Sequence, residues 1–220
     1  MVEEMYRIGI TAERFDAFKT DEHKWDEKKV SVMRNRTPGA IGCFYSQMAV
    51  MKKALELKKH AFVMEDDLIF CSDFKDRMKI VEDFTSNNKW DIIWLGGTYH
   101  LEPVWHVKGH PQLPQCNCTL NVDFTQTNNL RIVQTYGCWS TYAYIVNVDS
   151  IPKVLRMLED VIPISMGIDW SFILLEPKLK TFAFVPGMVK QYDNTSDIGT
   201  GVTKFSGFAL LGSHWWADKM

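Results

Sequence analysis

The chain has 220 residues, enough to bury a sizeable core, and its 46% hydrophobic and 24% charged content is globular rather than disordered or collagen-like. A formal net charge of −2 argues against nucleic acid as a partner, because a polyanion rewards a basic face. No apolar run approaches the roughly 20 residues of a membrane span, no leader is visible in Met1-Val2-Glu3-Glu4, and five cysteines make an odd count, so a cytoplasmic protein without a disulfide framework is expected.

In chain order, Thr37-Pro38-Gly39 opens the first clear helix: threonine can cap, and proline suits the first helical position. Ile41, Phe44, Met48, Met51 and Leu55 follow at helical spacing as one apolar stripe. Ala61-Phe62-Val63-Met64 is a short apolar run broken by three acids, the pattern of a buried parallel strand ending at the carboxyl edge of a sheet. Leu68-Ile69-Phe70 continues it, and Ser72 or Asp73 can cap a second helix with the stripe Phe74, Met78, Val81. Trp90 to Leu95 reads as another buried strand, stopped by Gly96-Gly97.

From Tyr99 to about Arg131 no period holds, and the segment reads as a long loop excursion with room for a hairpin. A β-like run spans Trp139 to Val148, and Ser150-Ile151-Pro152 starts a helix with Val154, Leu155 and Leu158 on its apolar face. Asp169 to Leu175 reads as helix and Thr181 to Val185 as strand. Strands alternating with helices predict one α/β domain over residues 1–220, with a mainly parallel central sheet flanked by helices.

Glu65-Asp66-Asp67 holds three adjacent carboxylates directly after a buried strand, where mutual repulsion and partial burial raise their pKa values. A divalent cation relieves that conflict. Carboxylate oxygens suit Mg²⁺ or Mn²⁺, which keep positions open for phosphate oxygens, and ligands of open α/β sheets bind outside the carboxyl ends of the strands. A nucleotide-sugar donor fits, because its diphosphate leaving group gains charge that a metal stabilises. An exposed acidic turn is the competing reading of the triplet alone.

The surroundings of the triplet favour the site. Arg36-Thr37-Pro38-Gly39-Ala40-Ile41-Gly42-Cys43-Phe44-Tyr45-Ser46-Gln47, a helix, and then Val63-Met64-Glu65-Asp66-Asp67 resemble the family 25 glycosyltransferases, which include lipopolysaccharide-synthesis enzymes and collagen galactosyltransferases. Their pattern is P-G-x-x-G-C-x-x-S-H, a helix, and E-D-D at the end of the next strand. Glu13-Arg14-Phe15-Asp16-Ala17, Trp90-Asp91-Ile92-Ile93-Trp94-Leu95-Gly96, Tyr142-Ala143-Tyr144-Ile145, and Pro186 to Gln191 followed by Ser196-Asp197-Ile198 resemble further family segments in the same order.

The resemblance implies a GT-A-like fold and an inverting, metal-dependent transfer of a hexose from a nucleotide sugar, UDP-galactose or UDP-glucose, to a saccharide or glycoprotein acceptor. It implies Mn²⁺ (or Mg²⁺) at Asp67 with help from Glu65 or Asp66, and donor contacts from Glu65, Asp66, Gln191, Ser196 and Asp197. Ser46, one turn into the first helix near the end that attracts phosphate, and Arg36 are further candidate donor contacts, with capping and surface charge as the competing reading. Two departures stand out. The family usually opens with a strand reading I-N-L and then D-R-R, whose loop helps hold the nucleotide, whereas about a dozen residues precede Glu13 here and that strand is expected to be absent or replaced. Gln47 stands where the family usually has histidine, and an amide keeps hydrogen bonding but does not titrate near neutral pH.

Asp169 aligns with an acidic residue of the family's acceptor-side motif and is the expected base for the acceptor hydroxyl, although aspartate at a helix start also serves as an N-cap. His214 is a candidate late metal ligand, as in many GT-A enzymes, or a packed surface histidine. The spacing of His106, His110, Cys116 and Cys118 resembles zinc ligands, but C-x-C is tighter than the usual C-x₂-C, and coincidence is the better reading. Two other classes compete. A nucleotidyltransferase would carry a glycine-rich, lysine-containing loop after its first strand, which is not found here, and an inactive sugar-binding or scaffold relative would lack donor chemistry.

Overall fold

The computed structural model describes residues 2–18, 38–100, 130–162, 167–175 and 178–191. Among them are five helices: α1 (Val2–Ile8), α2 (Pro38–Glu56), α3 (Phe74–Asn87), α4 (Ile151–Val161) and α5 (Ile168–Leu175). Seven strands accompany them: β1 (Ala61–Met64), β2 (Leu68–Phe70), β3 (Ile92–His100), β4 (Arg131–Gln134), β5 (Gly137–Val146), β6 (Thr181–Val185) and β7 (Val189–Gln191). The stripe expected on α2 is the face it buries, with Phe44 and Met51 fully enclosed.

Five strands form one sheet in the order β1-β5-β3-β6-β4, and β2 and β7 form a separate two-stranded ribbon. The sheet corrects the expectation of mainly parallel strands: β1·β5, β5·β3 and β4·β6 are antiparallel, and only β3·β6 is parallel. Continuous apolar strands are buried on both faces, and that is what their sequences encode. Helices cover both faces here too, so the pattern appears without the parallel direction that usually accompanies it.

The register sorts the core by alternation. Val146, Ile92 and Thr181 lie in one row and Tyr144, Trp94 and Ala183 in another. Trp94, Tyr144, Val146 and Ala183 point into a core with α2, α4 and α5, where Phe44, Val154 and Phe172 pack. Ile93, Leu95, Ile145 and Phe184 point the other way, toward Ile8 of α1, Phe74 and Val81 of α3, and the ribbon. The Trp94 ring meets Tyr144 at 4.9 Å and Phe172 at 5.2 Å between centroids, fixing α5 to the sheet.

Three local expectations are corrected. Gly96-Gly97 does not stop β3, which runs on to His100 with register shifts on either side of Gly96. Both glycines are places of close approach: a Cβ on Gly96 would meet the Val189 carbonyl, and Gly97 has φ +141° beside Ser140. Asp73 does precede α3, but its side chain makes no capping bond and pairs instead with buried Arg77 at 2.9 Å. Finally, β3 takes up Tyr99 and His100 at the start of the stretch read as a loop excursion, while β4 begins where that stretch ends, at Arg131. No helix among the described residues is long and apolar enough to cross a membrane.

The ribbon is held at two places. Met188 N–H donates to the Leu95 carbonyl at 2.6 Å, docking β7 onto β3. On its other edge, Phe70 N–H donates to Glu4 Oε1 at 2.9 Å, and Arg7 Nη2 donates to the Phe70 carbonyl at 2.6 Å. The segment ahead of Glu13 therefore contributes a helix, α1, that braces this edge of the ribbon.

Candidate active site

The acidic triplet follows the last residue of β1, as the sequence predicts, and β2 begins directly after it. Glu65 is still tied to the sheet, its N–H donating to the Tyr142 carbonyl at 3.0 Å. Asp66 is exposed, while Glu65 and Asp67 are half-buried. The turn thus points one carboxylate outward and keeps two against the protein.

Asp67 meets the end of the ribbon. Gln191 Nε2 donates to its Oδ2 at 2.6 Å, which joins two residues singled out by the sequence although 124 positions separate them. The other oxygen, Oδ1, is buried with no hydrogen-bond partner among the described residues. A buried carboxylate oxygen left in that state is costly, and a cation would satisfy it.

Glu65 lies among groups that oppose its charge. Protein packed around its carboxyl disfavours charge, and Asp67, Asp169 and Asp66 add like-charge repulsion, so its pKa rises from 4.5 to about 8. Thr141 works against the rise by donating to Oε1 at 3.2 Å. Asp169 also raises the Cys43 thiol on α2, a group that burial chiefly pushes up to about 12. The four acids thus belong to one neighbourhood at the carboxyl end of β1, although Asp169 comes from α5.

Asp169 occupies the first turn of α5, beyond the residue where the helix begins. Its Oδ1 accepts the Trp170 N–H at 2.8 Å, one of the first-turn donors a helix cannot satisfy itself. Gly167 precedes it with φ +156°, and Ser171 N–H and Oγ both donate to the Gly167 carbonyl. The side chain remains half-buried.

Ser46 is built into the fold. Its hydroxyl donates to the Gly42 carbonyl at 2.7 Å and accepts the Phe18 N–H at 2.9 Å, tying residue 18 to α2. Arg36, Ser196, Asp197 and His214 lie outside the described residues, as do His106, His110, Cys116 and Cys118. Among the described residues no three His, Cys, Asp or Glu side chains form a ready-made metal shell. The carboxylates nevertheless fit a hard cation, because Asp67 has a buried oxygen with no partner among the described residues and the like charges beside Glu65 help to raise its pKa.

Sequence reasoning missed Thr141 and Tyr142. Thr141 is buried and bonded to Glu65, and the Tyr142 hydroxyl is kept protonated by burial, with Glu65 and Asp67 among the charges acting on it. Their residue types gave no signal of this, because threonine and tyrosine are ordinary residues of a β-run. A polar groove of about 760 Å³ opens elsewhere, at the end of the sheet where β1 begins, lined by His60, Trp90, Asn147, Lys153 and Lys180 among others. It includes none of the four acids, and their chemistry rather than the groove's size identifies the candidate site.

Two comparisons bear on this geometry. The family described as glycosyltransferase family 25 (LPS biosynthesis protein) matches residues 1–171. A search of curated proteins gives no match.

Proposed function

Because the chain belongs to glycosyltransferase family 25, we propose that it transfers a hexose from UDP-galactose or UDP-glucose to a saccharide or glycoprotein acceptor, on a single GT-A-like domain and with inversion. Asp67, assisted by Glu65, would hold Mn²⁺ or Mg²⁺. The observation that carries this reading is the buried, unpaired Oδ1 of Asp67 inside a group of acids that repel one another. When bound, the ion supplies positive charge where the diphosphate leaving group becomes more negative.

The chain's own residues account for the remaining work. Gln191 fixes Asp67 by its bond to Oδ2, leaving Oδ1 for the ion. Asp66, exposed beside it, faces the solvent from which a donor arrives. Asp169 takes the proton of the acceptor hydroxyl while that oxygen bonds to the sugar's C1 and the bond from C1 to the diphosphate oxygen breaks. Direct displacement of this kind inverts the anomeric centre. Arg36, Ser196, Asp197 and His214 remain proposed donor or metal contacts on the family pattern. Ser46, with its hydroxyl engaged on both sides, is better suited to placing α2 than to reaching the donor.

A second reading is a sugar-binding relative without transfer activity. The two separate in a donor-hydrolysis assay over a panel of nucleotide sugars, with and without Mn²⁺. Mn²⁺-stimulated UDP release from one donor is expected, falling at least about 100-fold in Asp67→Ala. Saccharide binding with no release from any donor would select the inactive relative.

A further inference from the structure

We propose that Gln47 and Thr141 are positioning residues that hold Glu65 in the acidic cluster through a one-directional chain of buried hydrogen bonds beginning at Tyr144. This rests on the metal-dependent transfer reading above. Neither residue needs to touch substrate. Gln47 acts through Thr141, and Thr141 acts on Glu65.

The direction follows from proton counting. Tyr144 is fully buried, and its hydroxyl must donate its single proton somewhere. It donates to Gln47 Oε1 at 2.7 Å. The carboxamide oxygen is thereby placed, so its NH₂ faces the opposite way and donates to Thr141 Oγ1 at 3.1 Å and to Cys43 Sγ at 3.4 Å. With an N–H arriving at its oxygen, the Thr141 hydroxyl sends its own proton to Glu65 Oε1 at 3.2 Å. Turning the amide over would reverse every link and leave the Tyr144 proton without an acceptor.

The chain also explains why an amide works at position 47. Gln47 and Thr141 are 6% and 3% exposed, so water does not readily replace a lost link. Anchored at one oxygen from β5, the Glu65 carboxylate is held against the protein before any ligand arrives. Ligand binding then spends less on ordering it. Supporting partners of this kind typically change metal affinity by about 10–100-fold when lost.

The test compares Thr141→Val, Thr141→Ser and Tyr144→Phe, the first two also in a Glu65→Gln background. The dissociation constant for Mn²⁺ alone is read by titrating the spin-resonance signal of the free ion, and donor hydrolysis is followed in parallel. Thr141→Val is expected to weaken Mn²⁺ binding about tenfold, and Thr141→Ser to restore it to within about twofold. In the Glu65→Gln background, Thr141→Val should add nothing. Tyr144→Phe keeps the ring, removes the first donor, and should shift affinity in the same direction by less, so it carries the test if Thr141→Val does not fold.

Equal losses with and without Glu65 would mean that Thr141 supports the fold generally and would overturn the proposal. So would unchanged affinity in both Thr141→Val and Tyr144→Phe. If the parent protein neither binds Mn²⁺ nor shows Mn²⁺-stimulated hydrolysis, the metal-dependent reading itself fails and the positioning role falls with it.

Discussion

A carboxyl group packed in protein and flanked by other carboxylates keeps its proton to higher pH than in solution, and these causes raise the Glu65 pKa from 4.5 to about 8. The folded protein therefore binds a proton that the unfolded chain releases earlier. The associated stability is complete below about pH 4.5 and is lost as pH rises through about 8. Thermal unfolding in the presence of a chelator should show a midpoint that falls between pH 5 and pH 8. Glu65→Gln, which cannot ionise, should flatten the fall, and an unchanged slope in that variant would refute the assignment. Asp169 makes a kinetic prediction. Asp169→Asn keeps an acceptor for the Trp170 N–H at the same place, so the helix start should survive. Its turnover should drop by about 100-fold or more with little change in donor KM, and near-parental turnover would remove it as the base. The sequence identified Glu65, Asp67, Asp169 and Gln191 because their residue types and order match a family pattern. Thr141 has no such type signal. A threonine in a β-run is unexceptional, and only the folded chain brings its hydroxyl to Glu65, 76 positions away in sequence.

Among the elements, existence and buried faces were legible, whereas the far end of β3 and the pairing partners were not. Ala61–Met64 and Thr181–Val185 have the bounds expected from their apolar runs, and α2 begins at the proline that suits a first helical position. Strand direction leaves no mark in such a run, because a strand buried on both faces is apolar whichever way its neighbours point. The two-stranded ribbon is too short to announce itself, each strand having three residues. Gly96 shows how a signal can be sound and its meaning wrong. Glycine does mark an irregularity there, but the cause is the Val189 backbone passing over β3 rather than the end of the strand. Gly96→Ala should therefore lose about 1–3 kcal/mol of stability, measured by denaturant unfolding. Gln191 should also become more accessible to hydrogen exchange as β7 lifts. A variant as stable as the parent would show that the approach is easily relaxed.

At the scale of the molecule, two cores on either side of one sheet do different work. The core shared with α2, α4 and α5 sets α5 and hence Asp169 against the sheet, through Phe172 on Trp94 and Tyr144. The opposite core sets the ribbon and hence Gln191, through Val189, Phe70 and Met188. Glu65 and Asp67 leave β1 between the two arrangements, so neither core alone assembles the acids and their amide partner. The bond between Asp67 and Gln191 spans 124 positions of sequence, and that span also orders events in time. A ribosome adding about 5–20 residues per second makes Asp67 roughly 6–25 seconds before Gln191 exists. Throughout that interval the nascent acidic turn has no ribbon partner and stays hydrated. The proposed cation site at Asp67 thus gains its amide partner only when the last strand of the described fold has been made.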